Sequence, residues 1–473
     1  MKKRLRKRTD FMKRLLLICL FGFSVCEAQI SFSPYVAIPT GSWPETVAIE
    51  DMNHDGLKDV VLGMGSYADG DNDFSILVYL QNGSGELETP VKYPYATTSM
   101  DIEAIDIDDM NNDGLNDVVI AFGNKIGIYY QNTNGTLDAV NEVALNNYAK
   151  TLKIGDLNND GLKDIAVGYL NSFSVMIQSG GATFATTSYS IMMNYDIEID
   201  IADVDDDGRD DVVVKSSDAL NVLTQNASGT LNSPVAYLSG TGLSINGIAL
   251  GDLSNDGKID IAASRGGNSP SAKITILKQN PATQLMNTPV SISAYDIPEP
   301  IEIGDMNNDG KNEIVTAHGG WNSLSCYTQN TSGMYSGYYA FPISYASHYN
   351  RQGMALGDIN GDGLKDVAIA DYNHGLVILY NISESLGTEE PAKIQAPAMY
   401  PNPVNDVVNI DFSMSDSGGV AEISILNALG MQVAALQKSS DIQRINMAGY
   451  ASGVYFVKVH TAKGDATGKI IKQ

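Results

Sequence analysis

Carboxylates at alternate positions of a tight, glycine-bearing turn are the most chemically loaded feature of this chain. The pattern is Asp, any residue, Asn/Asp/Ser, any residue, Asp-Gly, two residues and an acid. Copies begin at Asp51, Asp109, Asp156, Asp203, Asp252, Asp305 and Asp358, spaced 47 to 58 residues apart. All-oxygen sets of this kind suit a hard divalent cation, above all calcium, and exclude zinc or copper as the native ion. Positions 1, 3, 5 and 9 supply side-chain oxygens and position 7 its backbone carbonyl, while Gly at position 6 permits the sharp turn.

The first loop offers Asp51, Asn53, Asp55, the carbonyl of Leu57, and Asp59. The second offers Asp109, Asn111, Asp113, Leu115 and Asp117, and the third Asp156, Asn158, Asp160, Leu162 and Asp164. The fourth has Asp203, Asp205, Asp207, Arg209 and Asp211, one carboxylate more than the others, and is expected to bind most strongly. The fifth, with Asp252, Ser254, Asp256, Lys258 and Asp260, is the weakest candidate. Asp305, Asn307, Asp309, Lys311 and Glu313 form the sixth, and Asp358, Asn360, Asp362, Leu364 and Asp366 the seventh. Asx-rich turns that need no metal are the alternative, but seven such acid clusters would repel themselves without a cation. Up to seven structural calcium ions are therefore expected, with affinities of roughly 10⁻⁴–10⁻³ M. No Glu stands at position 12 in a helical context, so these are not helix-loop-helix sensors.

Each loop is clamped between apolar runs of four to seven β-branched and aromatic residues, bounded by Gly, Asn and Asp. Such runs read as short strands joined by tight turns. Four per repeat, seven times over, predict an all-β fold: a seven-bladed β-propeller of four-stranded blades over residues 29–381. The seventh repeat stops after its third strand near Asn381. The orphan segment Phe32-Ser-Pro-Tyr-Val-Ala-Ile-Pro before the first loop supplies the missing one, so the N-terminal strand closes the last blade. Closure removes sheet edges that invite aggregation. A Ser/Glu/Gly/Thr/Pro/Ala stretch at 382–398 reads as a linker. Residues 399–473 read as a small Ig-like β-sandwich, with strands expected at Val407–Phe412, Ala421–Asn427, Val454–His460 and Lys469–Lys472.

The loops, with Gly-Asp before several of them and apolar residues after, resemble the FG-GAP/VCBS repeats of integrin α-subunit propellers and many bacterial surface proteins. The resemblance covers roughly residues 30–381, although the namesake Phe-Gly survives only at Phe122-Gly123. It implies a calcium-stabilised propeller used for adhesion or ligand binding, occasionally appended to an enzyme. The tail carries Tyr400-Pro-Asn-Pro, Ile425-Leu-Asn-Ala-Leu-Gly, Gly453-Val-Tyr-Phe-Val-Lys-Val and Lys469-Ile-Ile-Lys-Gln. It resembles the C-terminal sorting domain of type IX secretion in Bacteroidetes, which implies export to the cell surface or medium through that machinery.

The N-terminus agrees with export. A basic segment to Arg14, an apolar run from Leu15 to Val25 and Cys26-Glu27-Ala28 form a signal peptide over residues 1–28. Lipidation at Cys26 is the alternative, on a poor lipoprotein signal. Removing that segment takes eight basic and two acidic side chains from the 30 and 56 of the full chain, leaving a formal charge of −32. Nucleic acid and anionic lipid are thereby excluded as partners. Only Cys326 remains, so no internal disulfide can form and metal clips take that place. No transmembrane segment is expected in the mature chain.

In an up-and-down blade the acidic loops share one end, and the second-to-third turns and blade connections share the other. On that opposite face fall Trp43, Tyr67, Arg265, Trp321, Tyr349, Tyr372 and His374, a set suited to a glycan or protein ligand. The five histidines form no metal-ligand spacing, and no Gly-x-Ser-x-Gly elbow occurs. The sequence therefore points to a secreted or surface-attached, non-catalytic binding or adhesion module. The alternative is a propeller-based secreted enzyme such as a polysaccharide lyase or hydrolase; a carboxylate pair such as Asp69 and Asp371 would serve it.

Overall fold

The computed structural model describes residues 30–66, 70–96, 100–191, 197–216, 219–238, 242–319, 321–330, 332–335, 337–344, 352–383, 398–412, 421–427, 432–437, 440, 442–461 and 464–473. The expected signal peptide and most of the 382–398 linker lie outside them, as do Tyr67, Asp69 and Tyr349. No helix appears among the described residues. The chain divides into two compact units between residues 386 and 387.

The first unit is built of seven four-stranded antiparallel sheets, here blades 1 to 7. Blade 1 runs Pro44–Glu50, Asp59–Met64, Ser75–Tyr79 and Val91–Pro94, from the inside outwards. Blades 2 to 6 repeat the order, their inner strands being Ile102–Asp108, Thr151–Gly155, Glu198–Ala202, Ile245–Gly251 and Pro298–Gly304. Blade 7 takes Met354–Gly357, Asp366–Asp371 and Gly375–Leu379 from the end of the repeats and Val36–Ile38 from the N-terminus. The closing strand pairs Val36 with Ile378 and Ile38 with Leu376, as the orphan segment led us to expect. Inner strands of successive blades touch all the way round, and that of blade 7 touches that of blade 1, so the ring is closed.

The alternation of burial follows from this stacking. Second strands such as Asp59–Met64 and Asp117–Phe122 are buried throughout, because a neighbouring blade covers each face. Outer strands such as Val91–Pro94 are largely exposed. The hydrophobic core lies between blades. Ala104, Val119 and Ile128 of blade 2, for example, pack with Leu152, Ile165 and Met176 of blade 3. Chain closure is tight at Gly375, where φ is +89° and an added Cβ would stand 2.2 Å from the Ile38 carbonyl oxygen. No side chain fits there.

A ring of inner-strand residues, three before each acidic loop, comprises Ala48, Asp106, Lys153, Asp200, Ala249, Glu302 and Ala355. Lys153 lies 3.8 Å from Asp200, with Asp106, Glu302 and Glu198 also acting on it. Burial and these acids act on one another here: Glu302 is pushed up to about 8, mainly by desolvation. About a third of the Lys153 side chain stays accessible.

The second unit is a two-sheet sandwich. Ala398–Tyr400, Val407–Asp411 and Ile442–Asn446 form one sheet; Gln432–Gln437, Ala421–Asn427, Gly453–Thr461 and Gly464–Lys472 form the other. Val408, Ile410 and Ile445 from the first meet Ile423, Ile425, Val457 and Val459 from the second in one core. Strands Gln432–Gln437 and Ile442–Asn446 were not expected from the sequence, and the last strand is longer than the short run Lys469–Lys472. Ile442–Asn446 reads Ile-Gln-Arg-Ile-Asn, without apolar alternation and with only Ile445 buried, so its strand signal is weak.

Candidate functional site

All seven acidic loops adopt one backbone geometry. Position 4 is left-handed in each: His54, Asn112, Asn159, Asp206, Asn255 and Asn308 have φ between 53° and 62°, and Gly361 has 74°. Position 6 Gly follows with φ between 81° and 87°. Both conformations suit Gly, Asn and Asp, which explains their recurrence. The double reversal wraps the loop around its first carboxylate. Asp51 Oδ1 accepts the Asp55 N–H at 3.2 Å, and its Oδ2 the Gly56 N–H at 2.9 Å. The same pair of bonds recurs on Asp109, Asp156, Asp203, Asp252, Asp305 and Asp358. Position 5 carboxylates accept the N–H of position 7, as Asp55 does from Leu57 at 2.9 Å. Leu115, Leu162, Arg209, Lys258, Lys311 and Leu364 donate in the same way.

Position 9 is buried in every loop. Asp59, Asp117, Asp164, Asp211, Asp260 and Asp366 are 0% exposed and Glu313 is 1%. Each accepts the position 2 N–H, and six of them also accept the backbone N–H of the Gln, or Asn381 in blade 7, that stands at or just beyond the end of the third strand. Burial drives these acids up, to about 6 at Asp59, Asp117 and Asp164 and about 7 at Asp211 and Asp366, the backbone donors opposing it. Charge within the loops adds to the rise.

The fourth loop tests the fit to a cation. Asp203, Asp205 and Asp211 each bring a carboxylate oxygen within 4.8 Å of the others. Asp205 Oδ1 is buried without a hydrogen-bond partner. An orphaned anionic oxygen among other carboxylates calls for a positive charge. Arg209 pairs its guanidinium with Asp207, so part of the extra acid is balanced within the loop. In loops 1, 2, 3 and 7 the position 3 amide instead donates to position 5, as Asn53 does to Asp55 at 3.0 Å. That amide's oxygen accepts the position 5 N–H, as Asn53 Oδ1 does from Asp55 at 3.0 Å, and the all-oxygen donor set of the loop is one that suits calcium.

At the opposite end of the blades, three of the expected ligand-face residues come together. Trp43, Tyr372 and His374 line a cleft of about 400 Å³ with Pro39, Ser42 and Asn373. Its walls are the connection from the closing strand into blade 1 and the second-to-third turn of blade 7. Trp43 and Tyr372 meet edge to face, centroids 5.1 Å apart, and Trp43 remains 40% exposed. The Tyr372 hydroxyl donates to Glu45 Oε1 at 2.6 Å. Burial pushes Glu45 up to about 7, Tyr372 opposing and Asp101 and Glu103 adding. His374 Nδ1 lies 3.2 Å from Asp371, a buried carboxylate that also accepts from Ser344 at 2.7 Å.

Two other expected positions do not join this cleft. Trp321 is exposed but packs on Tyr295, which in turn lies edge-on to buried His318. Arg265 is corrected from a ligand-face residue to a structural one. It ends the second strand of blade 5, is 4% exposed, and sends Nη2 to the Leu243 carbonyl at 3.3 Å. Cys326 is fully buried and its thiol is pushed up by desolvation, as a packed small residue.

Family-level comparison matches the FG-GAP-like repeat at residues 109–167, 156–214, 203–263 and 305–369. The secretion system C-terminal sorting domain matches residues 398–473. No curated protein matches the chain. Among solved structures, one describing recognition of non-reducing terminal N-acetylglucosamine by an Agrocybe aegerita lectin aligns at 13% identity and a TM-score of 0.49. It covers 73% of this chain and 89% of that one. A complex of BBS1N with ARL6DN, soaked with mercury, aligns at 12% identity and a TM-score of 0.49, covering 74% and 96%. No helix among the described residues is long and apolar enough to cross a membrane. The sorting domain marks the protein for export by type IX secretion, to the cell surface or medium. The chain carries FG-GAP-like repeats on a β-propeller fold, followed by a type IX C-terminal sorting domain.

Proposed function

We propose that the exported propeller is a calcium-stabilised, non-catalytic binding module that holds an extracellular glycan or protein ligand on the face away from its acidic loops. The observation that carries this reading is the Trp43–Tyr372–His374 cleft. An indole fixed in orientation by Tyr372 offers a flat apolar face, and Ser42, Asn373 and His374 offer polar groups around it. That combination suits a sugar ring or an aromatic peptide side chain. The Asp371 carboxylate behind His374 disfavours anionic ligands. Calcium, held by the seven loops, would supply positive charge between strands and so keep the blades rigid beneath the cleft.

The enzymatic alternative has one observation in its favour. Glu45, raised to about 7, accepts a hydrogen bond from the cleft residue Tyr372, and perturbed acids gather at catalytic sites. The mature chain in millimolar calcium, screened against glycan and protein arrays and against polysaccharide cleavage, separates the two. Saturable binding without turnover supports the module. Cleavage that Glu45→Gln abolishes supports the enzyme and overturns it.

A further inference from the structure

A Gln, or Asn381 in blade 7, stands at or just beyond the end of each third strand, and all but one of these amides face the acidic loop of the preceding blade. Gln131 Nε2 donates to the Met52 carbonyl of loop 1 at 2.5 Å, and Gln178 Nε2 to the Met110 carbonyl of loop 2 at 2.9 Å. Gln225 reaches Asp156 of loop 3 at 2.9 Å, and Gln279 reaches Val204 of loop 4 at 3.0 Å. Asn381 of blade 7 reaches Met306 of loop 6 at 2.6 Å, and Gln81 of blade 1 closes the circle on Asp358 of loop 7 at 3.1 Å. At the one remaining junction Gln329 turns to Tyr335 of its own blade. Asn312 replaces it, donating to the Asp252 carbonyl of loop 5 at 2.9 Å. An amide thus links the loops at each of the seven junctions in an unbroken ring, and Asn116 adds a second link to loop 1 through the Asp51 carbonyl at 2.9 Å.

Each Gln link has two ends. The Gln225 side chain also holds the Asp210 carbonyl of its own loop at 3.0 Å, and its backbone N–H holds the position 9 carboxylate of Asp211 at 2.7 Å. Gln131 does the same with Asn116 and Asp117, and Gln178 with Lys163 and Asp164. Ordering one loop around an ion fixes its positions 8 and 9 and therefore the amide. A fixed amide pre-orders the first residues of the loop before it. We infer that the amides Gln81, Gln131, Gln178, Gln225, Gln279, Asn312 and Asn381 are positioning residues that couple neighbouring cation loops, so that calcium fills the ring cooperatively.

This rests on the loops binding calcium, as proposed above. Coupling through one neutral hydrogen bond is expected to shift a neighbour's affinity by roughly fivefold. The test is a calorimetric calcium titration of the full mature chain and of Gln225→Leu, in which every candidate ligand is intact. The chain as it stands should bind with a Hill coefficient above 1. Gln225→Leu should keep the number of ions but give a shallower isotherm and roughly fivefold weaker binding at two loops. If that variant does not fold, Asn312→Ala, at a half-buried position, is expected to give the same shallowing. Superimposable isotherms for the parent and a folded variant overturn the coupling while leaving the calcium reading intact. An absence of any bound calcium overturns both.

Discussion

The backbone N–H of Gln131 donates to Asp117 at 2.8 Å, and the other oxygen of that carboxylate takes the Met110 N–H at 3.0 Å. One buried acid therefore ties the end of a third strand to the start of the acidic loop. Asp117→Asn keeps the size but turns an NH₂ group against one of two backbone donors. A loss of about 2 kcal/mol is expected. Because both bonds are internal to the protein, the loss should persist in excess EDTA, as a lower urea midpoint.

The fourth and fifth loops should bracket the affinities. Asp205→Asn removes the orphaned buried oxygen charge and is expected to weaken that site about tenfold. Ser254→Asp adds a carboxylate where the fifth loop has none and should strengthen it by a similar factor. Competition against a chelating dye reads both, and an unchanged dye curve for either contradicts the position 3 assignment.

Ligand affinity should depend on Trp43 and little on Trp321. Trp43→Ala removes the exposed indole of the cleft and is expected to cost about 2 kcal/mol of binding, a factor of roughly 30, with an unchanged melting temperature. Trp321→Ala, on the Tyr295–His318 cluster, should leave affinity within about twofold. Equal losses for both would place the ligand elsewhere.

The acids around Lys153 predict a pH dependence. Glu302 is raised from its ordinary 4.5 to about 8 by burial and by Asp200, Glu198 and Asp106, with Lys153 opposing. The folded state holds that proton more tightly than the unfolded chain does. Its contribution is therefore fully present below pH 4.5 and is lost as pH rises towards 8. Glu302→Gln should flatten that decline, seen as a smaller fall in melting temperature between pH 5 and 8 at saturating calcium.

Much of the propeller was legible because its signals are local and repeated. The Asp51-to-Asp59 spacing marks a loop, and the β-branched runs on either side mark strands. The missing fourth strand after Asn381 even pointed to Val36–Ile38. What the sequence hid depends on packing between blades. The recurrent Gln-Asn pairs at strand ends were visible, but nothing in their spacing says that Gln225 reaches Asp156, 69 residues away. Arg265 looked like a surface cation because Arg usually is one. Its burial follows from its place at the end of a second strand. Trp43 and Tyr372 lie 329 positions apart, and only the closing strand brings them into one cleft.

The central claim is that the acidic loops hold ions that tie strands together in the ring. The most direct measurement counts calcium per mature chain after equilibration in millimolar calcium, with melting curves recorded before and after EDTA. The account predicts several ions per chain, up to seven, and a marked fall in melting temperature when they are stripped. Fewer than one ion per chain, with superimposable melting curves, would contradict it.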